Sequence, residues 1–328
     1  MGETLTIKKP KTIEFEVYEE RQLKDDEVRL RTIYSGISAG TQLTLYRGTN
    51  PYLNKKWNPV NRLFEEMTDI PAAYPIPGAW GYEEVGQVIE VGKKVEGIGL
   101  DNIVYGTWGH KSTNIVGEEF ARDHLLPEGL NAICGIFSQM GPISLNAILD
   151  ADIHVGETVA VFGQGVPGQI VTQLAKLNGA KVIAVDIDDF RLRYSKKNGA
   201  DITINSGKSD VAREIKKLIG NQGADVSIEM SGFSSALHQA IRSTSYNGRV
   251  VSSGFYQGSA NDLYLGEEFH HNRINIICSQ INAVSPVLSY RWNRLRMEKT
   301  IMELQKCGKL DLEGLITHII PFKEGIKV

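Results

Sequence analysis

Three glycines and a carboxylate are the residues of this chain best placed to do chemistry. Gly163, Gly165 and Gly168 follow the apolar run Val159–Phe162, and Asp186 closes a second apolar run, Lys181–Val185. In a G-x-G-x-x-G turn the first glycine permits a tight bend and the second lets the backbone approach a pyrophosphate. The third lets the next helix pack closely on the sheet. Val166 and Pro167 lie between them, where the helix opens and its unpaired N–H groups and positive dipole end suit phosphate oxygens. Asp186, with Ile187 and Arg191 just beyond it, is placed to accept hydrogen bonds from a ribose. A 2′-phosphate there would meet the like charges of Asp186, Asp188 and Asp189, which Arg191 offsets only in part, so the pattern predicts NAD rather than NADP. Glycine triplets alone are weak signals. Here the strand before the turn, the helix pattern Gln169–Leu177 after it and the second strand supply the context a dinucleotide site requires.

Holding such a turn takes alternating strands and helices. Strand patterns cover Thr158–Phe162, Lys181–Asp186, Ile202–Asn205, Asp225–Met230, Arg249–Phe255 and Asn275–Ile281. Helix patterns between them cover Gln169–Leu177, Asp189–Asn198, Asp210–Leu218 and Ser234–Ser243; around the third, Val211, Ile215, Leu218 and Ile219 fall at helical spacing. Strands separated by helices of this length form βαβ units and hence a parallel sheet covered on both faces. A polar-faced helix is expected over Tyr290–Cys307, stopped by Gly308. Before about residue 125 the texture changes to short β-rich runs, Thr12–Tyr18, Glu27–Tyr34, Val85–Val91 and Asn102–Gly106.

A chain of 328 residues has room for two domains, and 41% apolar with 23% charged residues is an ordinary globular composition. The 36 basic and 39 acidic side chains leave a net charge of −3 without a basic tract, which argues against nucleic-acid or anionic-membrane partners. No apolar run approaches the ~20 residues of a membrane span, and no apolar leader opens the sequence. Met1-Gly2-Glu3-Thr4-Leu5-Thr6 fits the loose myristoylation pattern, but no second lipid signal accompanies it. Cys134, Cys278 and Cys307 are odd in number and far apart, and they read as small core residues of a reducing compartment. A soluble cytoplasmic protein is expected.

Further segments fall in an order that resembles the medium-chain, zinc-alcohol-dehydrogenase-like dehydrogenases and reductases. Ser35-Gly36-Ile37-Ser38-Ala39-Gly40-Thr41 is similar to the loop that carries the first zinc ligand of that family. Pro77-Gly78-Ala79-Trp80-Gly81-Tyr82-Glu83-Glu84-Val85-Gly86 is similar to its P-G-x-x-G-H-E-x-x-G segment. Val91-Gly92, Asp101 with Val104, Glu229-Met230-Ser231-Gly232, Gly248-Arg249-Val250-Val251 and Leu315–Phe322 follow in family order, so the resemblance covers nearly the whole chain. It implies an α/β protein with a GroES-like β-barrel catalytic domain, residues 1–127 completed by 311–328, and a doubly wound Rossmann NAD-binding domain, residues 128–310. It also implies that Ser231 and Gly254 join the cofactor residues. A homodimer or homotetramer is implied too, with Asn275–Ile281 as a candidate contact strand.

The chain departs from the family where the family holds its metal. Ser38, Tyr82 and the stretch Ser138-Gln139-Met140-Gly141 stand where a Cys, a His and a Cys or Glu would bind catalytic zinc. Zinc prefers thiolate, imidazole and carboxylate, so no metal is expected, and three scattered cysteines cannot build a structural zinc lobe. Hydride transfer belongs to the nicotinamide, and the protein must then supply donors or a proton relay at the reacting oxygen. By family position the candidates are Thr41, Tyr46, Tyr82, Glu83 and His110. Tyr82 is either a donor to a substrate oxygen or an aromatic filling the old metal site. Glu83 is a charge-tuned base or a salt-bridge partner, and His110 is a group titrating near neutral pH or a hydrogen-bonded loop histidine. Adjacent residues on a strand face opposite ways, so at most one of His270 and His271 faces a cleft. Between Gly48 and Pro77, Tyr52, Trp57, Phe64 and Tyr74 form either an aromatic lid over substrate or a surface loop with its own apolar cluster.

The leading expectation is an NAD(H)-dependent, zinc-independent oxidoreductase that moves hydride between nicotinamide and a secondary alcohol or ketone. A sugar or cyclitol is a candidate small-molecule substrate. The alternatives are an enoyl or quinone reductase and a non-catalytic NAD-binding protein.

Overall fold

A computed structural model describes residues 1–67 and 73–327. They divide into two units, Met1–Gln139 with Ile316–Val328, and Met140–Leu315. The first unit opens with β1 (Gly2–Lys9), β2 (Thr12–Tyr18), β3 (Glu27–Ser35) and the short helix α1 (Gln42–Arg47). The small pair β4 (Lys55–Asn58) and β5 (Leu63–Glu66) comes next, then β6 (Glu84–Val91), β7 (Ile103–Gly106), β8 (Thr113–Gly117) and α2 (Glu118–Asp123). The antiparallel order β7-β6-β3-β8 forms the main sheet. Alternate side chains of a strand share a face, and here Val28, Leu30, Val88 and Val104 meet around Trp108. This curled antiparallel sheet matches the GroES-like domain.

The unit boundaries lie later than the 127/128 and 311 positions read from the sequence. The 3-10 turn Ala132–Ser138 stays with the first unit, its Gly135 so close to β6 that an added Cβ would lie 2.7 Å from Val85. At the far end, Asp311 and Gln173 exchange hydrogen bonds of 2.8 and 3.1 Å, and Leu310 and Leu312 are buried, so the chain stays with the second unit up to Leu315. After its return, Phe322 packs edge-on to Phe15 at 5.3 Å.

The second unit begins with α3 (Met140–Ala151), which the sequence patterns missed. Its helix is buried on nearly every side and carries Pro142 and Gly141 in the first turn, so it shows no amphipathic stripe. The remaining elements are β9 (Thr158–Phe162), α4 (Val166–Leu177), β10 (Lys181–Asp186), α5 (Asp189–Lys197), β11 (Ile202–Asn205), α6 (Val211–Leu218), β12 (Ala224–Glu229), α7 (Ser234–Ser243), β13 (Thr244–Ser252), β14 (Asn275–Cys278) and α8 (Arg294–Lys306). All sheet pairings are parallel, in the order β11-β10-β9-β12-β13-β14, and every residue of β9 is buried. That is the pattern of a strand covered on both faces. The winding reverses between β9 and β12, which places a ligand crevice beyond their C-terminal ends.

Three local expectations change. The last helix starts at Arg294 rather than Tyr290, because the Asn293 side chain caps it by accepting from Arg296 N at 2.8 Å. His270 and His271 lie on a helical turn, not a strand, with their rings edge-on at 5.4 Å. Cys134 is buried, but Cys278 and Cys307 are exposed, so only the first is a core residue; all three are free thiols. No single described helix is long and apolar enough to cross a membrane.

Candidate active site

The glycine turn has the geometry its spacing demands. Gly163 sits at φ +87°, and a Cβ there would lie 2.7 Å from Ser231 Cβ. A Cβ on Gly168 would lie 1.8 Å from the Gly163 carbonyl oxygen, which keeps α4 hard against the turn. Gly165 differs: its nearest neighbour would be Pro167 Cδ at 4.0 Å, so its missing side chain leaves open space. Pro167 occupies the first turn of α4, and the first intrahelical bond joins Gln169 N to Gly165 O at 2.9 Å. The N–H groups of Val166 and Gly168 are therefore free of intrahelical partners and available to an anion.

Asp186 closes β10 beside this turn. Its Oδ2 accepts from Gln164 N at 2.5 Å and its Oδ1 from Asp188 N at 2.9 Å, with Arg191 Nη1 at 3.8 Å from Oδ2. The side chain is 5% exposed, so two backbone N–H groups hold the carboxylate in one orientation while each oxygen keeps a lone pair for a ribose. Ile187 follows and is exposed. Ser231 and Gly254 belong to the turns after β12 and β13, and a Cβ on Gly254 would lie 2.3 Å from Gly232 N. Glu229, a buried carboxyl, ties both turns together. Sequence reading quoted it only within the segment Glu229–Gly232 and gave it no role, although a carboxylate at the buried C-terminal end of a strand was a usable signal.

In the first unit, Ser38, Thr41 and Tyr82 come together. The Tyr82 phenol lies beside the Ser38 and Thr41 side chains, whose hydroxyls favour its ionised form. Burial pushes its pKa above the ordinary tyrosine value, and the neighbouring Glu83 charge adds to this. Thr41 caps α1, its carbonyl accepting from the Thr44 hydroxyl at 2.6 Å. Glu83 is buried, and its carbonyl accepts from Gly36 N at 2.6 Å. Ser138 is buried and donates to Gly106 O at 3.5 Å.

His110 does not titrate near neutrality. The ring is buried, which lowers its pKa to about 4. Its Nδ1 meets the Ser35 hydroxyl at 2.6 Å, and its Nε2 meets Gln42 Oε1 at 3.2 Å, while Ser35 also reaches Glu84 Oε1 at 3.2 Å. An amide oxygen can only accept, so a ring that bonds Gln42 carries its proton on Nε2, and the one Ser35 hydroxyl proton is then shared between Nδ1 and Glu84. Gln42 was missed by the sequence reading. It is fully buried, its oxygen also accepts from Ser38 N at 3.3 Å, and its Nε2 has no hydrogen-bond partner.

Tyr46 and Tyr74 pack into the Leu5–Ile7–Trp80 cluster, where the Tyr74 hydroxyl donates to Leu45 O at 2.5 Å. Tyr52 stacks on Phe64 at 5.0 Å, and Trp57 tilts against the same ring at 5.0 Å. These three half-exposed rings form a small cluster of their own around the β4–β5 hairpin, apart from Tyr74. Among the described residues, His238, Glu267 and Glu268 bring potential metal-ligand atoms within 4.8 Å of one another; Ser38, Tyr82 and Glu83 are not part of that group.

A family model described as zinc-binding dehydrogenase matches residues 167–295. The chain is 34% identical to D-guloside 3-dehydrogenase of Escherichia coli (strain K12), across 93% of this chain and 88% of that protein. It is 35% identical to an alcohol dehydrogenase of Cupriavidus necator across 52% of this chain and 44% of that one. Its fold matches 2R,3R-butanediol dehydrogenase of Bacillus subtilis at a TM-score of 0.78 and 23% identity, covering 100% of this chain and 94% of that one. The chain therefore belongs to the zinc-binding dehydrogenase family and is an alcohol-dehydrogenase-like oxidoreductase that uses a nicotinamide cofactor.

Proposed function

We propose that this enzyme oxidises a secondary hydroxyl of a sugar ring with NAD, without zinc, and that Tyr82 meets the reacting oxygen. The observation that carries this reading is the convergence of three hydroxyls, Tyr82, Ser38 and Thr41, at the positions that resemble the family's metal loop. Hydroxyls are poor zinc ligands, and the stretch Ser138-Gln139-Met140-Gly141 at the third ligand position offers no thiolate, imidazole or carboxylate, its Ser138 hydroxyl donating to a backbone carbonyl. The donor set therefore does not fit zinc. Bound nicotinamide supplies the hydride acceptor. As the hydride passes to NAD, the Tyr82 phenol, kept neutral by burial, takes the hydroxyl proton while passing its own to a neighbouring Ser38 or Thr41 hydroxyl and on to water; in the reverse direction it donates to the ketone oxygen. Support for a sugar comes from the guloside dehydrogenase relative. Support for NAD comes from the fixed Asp186 carboxylate, against which a 2′-phosphate would be repelled.

The test is NADH formation from a panel of glycosides and polyols, before and after exhaustive chelation. Chelator-resistant, NAD-linked turnover of a ring hydroxyl is the expected result. Stoichiometric zinc whose removal abolishes activity would overturn the metal-free reading. NADH oxidation by enones or quinones would favour a reductase, and tight NAD binding without turnover a non-catalytic protein.

A further inference from the structure

Glu229 ends β12 at the reversal of strand order, paired with Phe162 at the end of β9. It is 0% exposed, and a carboxylate at that depth is costly unless its oxygens are bonded. They are. Oε1 accepts from Ser231 N at 2.7 Å, from Gly232 N at 3.1 Å and from the Ser231 hydroxyl. Oε2 lies 3.2 Å from Gly232 N and accepts from the Tyr256 hydroxyl at 2.6 Å. The Glu229 carbonyl accepts from Ser253 N and Gly254 N, both at 3.0 Å. One residue thus ties the turn after β12 to the turn after β13.

Neither turn has slack. Gly232 sits at φ +76°, and a Cβ there would lie 2.4 Å from Phe255 O. A Cβ on Gly254 would lie 2.6 Å from Glu229 Oε2, and the phosphate turn abuts the same place through Gly163 and Ser231. A dinucleotide lies across the point where the winding reverses, with one nucleotide on each side. Asp186 marks the adenosine side, at the end of β10, so the other nucleotide belongs with the turns after β12 and β13.

We propose that Glu229 is the positioning residue for the nicotinamide half of the cofactor: it fixes the two turns against which that half rests and takes no part in holding the adenosine half. Burial raises the Glu229 pKa above the usual carboxylate range. The Tyr256 phenol is pushed up as well, by burial first and then by the Glu229 charge, so Tyr256 remains a donor to the carboxylate. The reading needs nicotinamide use only, and it stands whether or not the reaction is metal-free or sugar-directed.

The experiment titrates two variants, Glu229→Gln and Tyr256→Phe, with NADH and with ADP-ribose, which carries the same adenosine and pyrophosphate but no nicotinamide. Glu229→Gln keeps the shape but presents an NH2 group to one of the two sets of donors. NADH affinity should fall about tenfold or more, while ADP-ribose affinity stays within about twofold. Tyr256→Phe removes one donor and should weaken NADH by a smaller factor in the same selective way. If Glu229→Gln does not fold, the Tyr256→Phe ratio decides. Equal weakening of both ligands, or weakening of neither, overturns the proposal: the first would make Glu229 a general prop of the domain, the second a bystander.

Discussion

The turn at 163–168 and the loops at 38–42 and 81–84 hold the proposed cofactor and substrate residues, and they are specified in different ways. In the turn, function lies in the backbone: Gly163 needs a positive φ, Gly168 has no room for a Cβ, and only Gly165 keeps space free for something outside the protein. In the loops, function lies in side chains that recognise one another over long separations. Tyr82 meets Ser38 and Thr41, and His110 meets Gln42 across 68 residues of sequence. A backbone requirement tolerates no substitute, whereas a side-chain arrangement can be exchanged for another that fills the same space. The glycine turn is therefore fixed residue by residue, while the loops around Tyr82 carry the part of the proposal that side-chain substitutions can test.

The largest effects should come from setting two glycines against each other. Gly168→Ala would force a Cβ into the Gly163 carbonyl, so α4 must move; a loss of ~3 kcal/mol in stability is expected together with loss of cofactor binding. Gly165→Ala has φ −69° and open space, so its thermal unfolding should match wild type while NADH binding weakens by about tenfold to a hundredfold. A Gly165→Ala protein that binds NADH normally would show that the open space is not the pyrophosphate site.

Tyr82→Phe probes the other region. Removing the hydroxyl keeps the ring that fills the pocket, so folding and NADH affinity should be retained while kcat falls by roughly a hundredfold or more. An unchanged kcat would reduce Tyr82 to a space-filler and break the contrast between the two regions.

What could be read from the sequence follows the same division. The strand–glycine–helix–strand–carboxylate order was legible because local geometry dictates each residue type, and the parallel sheet came with it. The boundary at residue 139 was not, since the 3-10 segment Ala132–Ser138 has no periodic signal and belongs to the first unit only through packing on Val85 and Tyr105. Nor were Gln42 and Glu229, whose importance rests on partners brought close by the fold. For His110 the sequence left open a group titrating near neutral pH or a hydrogen-bonded loop histidine, because the choice depends on burial, which the sequence does not display.

That burial has a measurable consequence. With a folded pKa of about 4 against an ordinary ~6.5, the unfolded chain binds a proton at His110 between these values and the folded chain does not. Stability should therefore fall as pH drops from about 6.5 to about 4, by up to ~3 kcal/mol from this residue at ~1.4 kcal/mol per unit. Glu84, whose pKa is raised by burial, contributes with the opposite sign, so the comparison is made between wild type and His110→Gln, where that contribution largely cancels. Denaturant titrations at several pH values should give a flatter acid limb for the variant. Equal limbs would mean that the ring is protonated in the folded protein.

The smallest expected effect sharpens the cofactor side. Asp186 does two things at once: it holds Gln164 N and Asp188 N, and it carries the charge that repels a 2′-phosphate. Asp186→Ser would lose both, whereas Asp186→Asn removes the charge, keeps an oxygen for one backbone N–H and turns an NH2 towards the other. With the charge gone, Arg191, now 3.8 Å from the carboxylate, is free to face a phosphate. The ratio of NADPH to NADH affinity should rise about tenfold in Asp186→Asn, with stability lowered by about 1–3 kcal/mol because one backbone N–H is left facing an NH2. An unchanged ratio would move cofactor choice off Asp186, to Asp188 or Asp189, and would mean that even in the backbone-defined region selectivity is set by side chains around the turn.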